Sequence, residues 1–146
     1  MDKRQFREYL DLKKEIDILK ARLSEIKRQL AKFEGNYVVT DVVSGGEGGT
    51  RRYSITGFPY PEYKRKTDML LSRKMKLERQ QDKLEEQTEA IETYIRMIEN
   101  SKMRNIFTLF YLEGKSWREI AADLGEGYSA DAVRKAHDRF WEAKKE

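Results

Sequence analysis

Between residues 9 and 33 the apolar side chains fall at Tyr9, Leu12, Ile16, Leu19, Leu23, Ile26, Leu30 and Phe33, with steps that alternate between three and four. That spacing is the a/d seam of a coiled coil and predicts one long amphipathic helix. Charged residues fill most of the remaining positions, and Gly35-Asn36 predicts the helix end, where a left-handed C-cap is wanted. A second long helix is expected after Pro61, carrying Tyr63, Leu70, Leu77, Leu84, Ile91 and Ile98 at seven-residue spacing, with a mostly polar partner column of Thr67, Lys74, Gln81, Thr88 and Ile95. Half a seam suits the return arm of an antiparallel helical hairpin better than a zipper with a copy of itself. A homodimer through the hairpin is the alternative.

The residues between these helices differ in character. Tyr37 to Val43 is β-branched, Ser44 to Thr50 is a glycine-rich turn, and Arg51 to Thr56 is a second strand candidate, so a small β-hairpin tip is expected over about 37–56. The SGGEGGT turn is not a nucleotide site, because Thr50-Arg51-Arg52 leads into a strand where that motif needs Gly-Lys-Ser/Thr opening a helix. Arg51 and Arg52 are secondary candidates for contact with a DNA backbone.

The last third has the pattern of a helix-turn-helix. An apolar helix over Asn105–Leu112 ends at Glu113-Gly114. Ser116-Trp117-Arg118-Glu119 then reads as a capping box, with Ile120, Ala121 and Leu124 as the inner face of the helix it opens. After a turn at 125–128, Ser129 caps a final helix with Asp131 in its first turn. At 100° per residue Val133, Ala136 and Phe140 share the core face, and Asp131, Arg134, Lys135 and Asp138 stand opposite. His137 is expected as a packed flank residue, and Trp117 and Trp141 as core or core-edge aromatics. Such a pair of helices braces its first member on phosphates and lays its second in the major groove of double-stranded DNA. Asp131, Arg134 and Lys135 are therefore the base-reading candidates, although Asp131 is better suited to capping amides.

The segment FTLFYLEGKSWREIAADLGEGYSADAVRKAHDRF, residues 107–140, resembles region 4 of the sigma-70 family and the sigma-70-like helix-turn-helix regulators of phages and prophages of Gram-positive bacteria. Together with a coiled N-terminal half and the stretch VVSGGEGGTRRYSITGFPYP, it is similar to the ArpU and RinA type late-transcription regulators. The resemblance implies promoter-type DNA recognition in a bacterial host cell, with contact to RNA polymerase. By position it also implies that Asp131, Arg134 and Lys135 match the family's base readers, while Lys115, Ser116, Arg118 and Ser129 match its backbone contacts. Ala130 departs from it, standing where a basic base-reader is common.

Composition narrows the classes. With 38% charged residues and a mean hydropathy of −0.87, the chain has too little apolar mass for one large core, and narrow helical seams fit better. A net charge of +4 and a pI near 9.2 favour a polyanionic partner, although most positive charge is balanced nearby. In the second helix the charge is polarised: residues 62–83 hold eight Lys/Arg against four Asp/Glu, whereas 84–100 hold one against five. A solvated helix surface is the plain reading of that run, and a second phosphate-contacting surface the sharper one. The absence of cysteine excludes a thiolate nucleophile and Cys-ligated zinc, and a single histidine, His137, gives a His-based metal site or triad little to build on. The charged start MDKRQFREYLDLKKE is not expected to act as a secretory leader, and no apolar run in the sequence reaches bilayer length. The expectation is a mainly α, cytoplasmic protein that is not an enzyme and needs no cofactor or metal. It would comprise a helical hairpin over 1–100 and a three-helix DNA-binding domain over 101–146. Two other classes share these features: a DNA-packaging protein of small-terminase type, and a coiled-coil scaffold without DNA binding.

Overall fold

The computed structural model describes residues 1–37 and 59–145. The protein is mainly α: α1 (Lys3–Tyr37), α2 (Tyr60–Arg96), α3 (Ser101–Phe107) running on into a π-helical turn (Thr108–Leu112), α4 (Trp117–Leu124) and α5 (Ala130–Ala143). Helix α1 continues through Gly35 to Tyr37 instead of stopping at Gly35-Asn36, so Tyr37 ends a helix and does not open a strand. The rest of the expected β tip, with Arg51 and Arg52, lies outside the described residues. Two compact units divide the chain: residues 15–80, here the two-helix unit, and residues 1–14 with 81–146, here the terminal unit.

In the two-helix unit the α1 seam forms as its spacing predicts, with Ile16, Leu19, Leu23, Ile26 and Leu30 buried. The facing wall of α2 corrects the expected register. Tyr63, Leu70 and Leu77 are half-buried, but the second column is Lys66, Arg73 and Gln80, three residues on, while Thr67, Lys74 and Gln81 are exposed. Long polar side chains lay their methylene stems on the apolar seam and carry their heads to its edge. There Lys66 Nζ donates to Gln29 Oε1 at 2.8 Å, Gln80 Nε2 to Glu15 Oε1 at 3.1 Å, and Tyr63 Oη to Glu34 Oε1 at 3.1 Å. These three pairings set an antiparallel register, with low numbers on α1 facing high numbers on α2.

The terminal unit is built on rings. Phe6, one step before the predicted seam, is fully buried and meets Tyr94, Phe107, Tyr111 and Trp141 edge-on at centroid distances of 4.7–5.7 Å. Asp2 starts α1 with a reciprocal cap, its carboxylate accepting from the Gln5 amide while the Gln5 side chain accepts from its own. At the other end of α2, Ile91 and Ile95 are buried. Ile98, expected on that helix, lies beyond its end at Arg96 and is buried in the turn to α3. The turn is held by Arg104, whose guanidinium donates to the carbonyls of Ile98 and Glu99, and by Asn100, which caps α3.

The single helix expected over 105–112 is two conformations. Beyond Phe107 the chain widens into the π turn, closed by Glu113 N–H donating to the Thr108 carbonyl at 3.1 Å. Gly114 at φ +69° then reverses the chain, a conformation glycine adopts without steric penalty. The carbonyls left open at Tyr111 and Leu112 accept from Lys13 Nζ at 3.0 and 3.1 Å, a cation placed on the negative end of the turn. No helix of the described residues is long and apolar enough to cross a membrane.

Candidate nucleic-acid interface

Helix α4 starts as its sequence predicts. Ser116 Oγ accepts from the Glu119 amide at 3.2 Å and Glu119 Oε1 accepts from the Ser116 amide at 3.1 Å, which completes the capping box. These bonds hold the Glu119 carboxyl below its ordinary range. Ile120 and Ala121 are buried and Leu124 is half-buried. Gly125 at φ +106° and Gly127 at φ +92° make the turn that follows, and both values favour glycine, which is why the link reads Gly-Glu-Gly. Ser129 then caps α5 by accepting from the Ala132 amide at 3.0 Å.

The buried face of α5 is centred differently from the wheel estimate. Val133, His137 and Trp141, four residues apart, are its buried line, while Ala136 and Phe140 flank it half-buried. Spacing counted from Val133 finds the right side of the helix. It misses the line because His137 ranks as polar, yet His137 is 4% exposed.

Its burial is made possible by a hydrogen-bonded chain. Trp141 Nε1 donates to Tyr111 Oη at 3.3 Å, Tyr111 Oη lies 2.6 Å from His137 Nε2, and His137 Nδ1 lies 3.0 Å from Asp138 Oδ1. A carboxylate can only accept, so Nδ1 carries the proton and Nε2 accepts from the tyrosine. Burial pushes the imidazole below its ordinary pKa against the pull of Asp138, and pushes the Tyr111 hydroxyl up to about 12. A neutral histidine satisfied on both nitrogens is a core residue. Among the described residues no cluster of three His, Asp or Glu side chains is placed to hold a metal ion.

On the outward side Asp131, Arg134 and Lys135 are exposed together. They are also paired. Arg134 donates to Asp131 Oδ1 at 2.7 Å and to Asp138 Oδ2 at 3.2 Å, and Lys135 Nζ lies 3.0 Å from Asp131 Oδ2. Asp131 thus bridges both cations instead of capping amides, and its bonds to Arg134 and then Lys135 hold its carboxyl below the usual range. Arg134 is the junction, because the carboxylate it shares, Asp138, is the one that anchors His137.

The four backbone-contact candidates separate in role. Arg118 is exposed at the start of α4. Ser116 and Ser129 use their oxygens as acceptors for the caps, which leaves each hydroxyl hydrogen to donate outward. Lys115 is half-buried and bonded to Asp123 at 2.5 Å, which raises its pKa, so it ties the loop before α4 to the end of that helix. Sequence reasoning missed the clamps Asp138 and Asp123. Their signal was i,i+4 spacing from Arg134 for the first, and none for the second, whose partner Lys115 lies eight residues away, before the start of α4.

No protein-family model, curated protein or solved structure matches this chain.

Proposed function

We propose that this protein is a sequence-specific DNA-binding regulator of transcription, of the phage or prophage type that residues 107–140 resemble, with α4 and α5 acting as a helix-turn-helix. The observation that carries the reading is the first half of α5. A serine-capped N-terminus precedes three neighbouring exposed charged residues, Asp131, Arg134 and Lys135, on a helix whose buried line is Val133, His137 and Trp141. In this reading Arg134 reads guanine O6 and N7 with its planar fork, and Lys135 reads a base or holds a phosphate. Arg118 and the hydroxyls of Ser116 and Ser129 position the pair on the backbone, where helix N-termini favour anions. Lys115 acts through Asp123 by holding the entry to α4.

The carboxylates set the terms of binding. Arg134 and Lys135 reach a base by exchanging Asp131 and Asp138 for acceptors on the DNA, so a site lacking those acceptors returns nothing for the ion pairs given up. That is a source of discrimination built from repulsion as well as attraction. Selection of bound fragments from genomic DNA, followed by comparison of the selected duplex with a scrambled one, tests the function. The double variant Arg134→Ala, Lys135→Ala should lose about 1–3 kcal/mol of discrimination per lost base contact. Unchanged preference in that variant removes α5 as the reading element.

A further inference from the structure

The two-helix unit carries a groove that the reading of α5 does not use. Leu19 and Arg22 of α1 and Lys64, Arg65, Met69, Arg73 and Lys76 of α2 line an open trough of about 720 Å³. Five of its side chains are cationic, and Asp68 is the single carboxylate. Lys64 pairs with Asp68 at 3.2 Å. Arg22, Arg65, Arg73 and Lys76 have no ion-pair partner among the described residues. The imbalance is general to the unit: over residues 15–80 the sequence has 14 Lys/Arg against nine Asp/Glu, whereas the remainder of the chain has 16 against 17. The protein's excess positive charge therefore resides outside the unit that contains α4 and α5.

We infer that this groove is a second, sequence-independent nucleic-acid contact that takes the phosphodiester backbone of a duplex. Four unpaired cations around an open trough do not select a small anion, since no buried polar group converges to enclose one. They suit an extended polyanion. Lys64 and Lys76 are twelve residues apart, roughly 18 Å along the helix, and a duplex presents a charge about every 1.7 Å of its axis over that length. Attraction of this kind comes from counterion release and reads charge density without reading bases. The inference stands apart from the α5 reading, because every lining residue belongs to the other unit.

The test is binding of the full chain to a random-sequence duplex by fluorescence anisotropy over a range of salt. Replacing Arg65, Arg73 and Lys76 by Ala should flatten the slope of log affinity against log salt by about 2.7, and Arg65→Gln with Lys76→Gln, which leaves half-buried Arg73 in place, by about 1.8. Arg65→Lys with Arg73→Lys should keep the wild-type slope, and far-UV circular dichroism should show unchanged helicity throughout. The Arg134→Ala, Lys135→Ala variant is run in parallel: its effect on preference for a selected site judges α5 and leaves the groove's share of the slope intact. An unchanged slope in both groove variants overturns the inference. So does wild-type protein that ignores the random duplex but sediments with anionic phosphatidylserine vesicles, or self-associates, through these same residues.

Discussion

The first half of α5 and the groove of the two-helix unit treat positive charge in opposite ways. On α5 each of the two candidate base-reading cations is held by carboxylates, Arg134 by Asp131 and Asp138 and Lys135 by Asp131. Along the groove of the two-helix unit Arg22, Arg65, Arg73 and Lys76 have no such partner among the described residues. A paired cation leaves its carboxylate only for an acceptor of matching geometry, whereas an unpaired one is drawn to any phosphate. In the proposed reading this difference separates discrimination from attraction and assigns them to different parts of one chain. Packing differs in parallel. The terminal unit closes on interlocking rings around Phe6, while the two-helix unit covers its apolar seam with the stems of Lys66, Arg73 and Gln80.

The contrast in packing gives the largest expected effects. Phe6→Ala should destabilise the terminal unit by about 3–5 kcal/mol, the range for truncating a core phenylalanine, measured by urea denaturation. Leu23→Ala in the two-helix unit should cost less, toward the low end of about 2–5 kcal/mol, because flexible stems can settle into the space. Equal losses would dissolve the distinction between a rigid ring core and a compliant seam.

Proton linkage sharpens it further. The folded-state pKa of His137 is lowered, so the folded protein resists the proton that the unfolded chain accepts. Above about pH 6.5 both states are neutral at this residue and its contribution is complete. As pH falls below that value, stability should drop by up to about 1.4 kcal/mol per pH unit. Denaturation midpoints of wild type and His137→Gln across that window check it, the variant lacking this component of the pH dependence. Ser116→Ala should cost about 1 kcal/mol through the lost cap of α4, read from thermal melts. The smallest effect is expected from Asp131→Asn. By releasing Lys135 and half of the Arg134 clamp it should strengthen binding to random duplex a fewfold while narrowing preference for a selected site; weaker binding to both would assign Asp131 a direct role in readout.

Much of the architecture was legible because it is periodic. The three-four spacing from Tyr9 to Leu30 specified the α1 seam residue by residue, and Ser-x-x-Glu specified the cap of α4, since both are local rules. What escaped depended on the partner. The second seam column of α2 was assigned to Thr67, Lys74 and Gln81, and the structure uses Lys66, Arg73 and Gln80, because the choice between +3 and +4 is made by the opposing helix and neither column is apolar. Phe6 stood outside the counted seam, and its burial requires rings from α2, the π turn and α5 at once. His137 was placed near the core by its angle. Its role at the centre of a satisfied chain needed Tyr111, a residue 26 positions away. The ion pairs on α5 are consistent with i,i+3 and i,i+4 spacing, but that spacing does not decide whether Asp131 turns to the helix amides or to the two cations.

The positions of the two tryptophans have a practical consequence. Trp117 stacks on Phe110 at 4.0 Å, Trp141 is buried beside His137, and residues 15–80 contain none. Indole emission therefore watches one unit alone, while backbone ellipticity sums over both. Following the two signals through a single melt will tell whether the halves of α1 and α2 come apart as one cooperative transition or in succession, with no label attached.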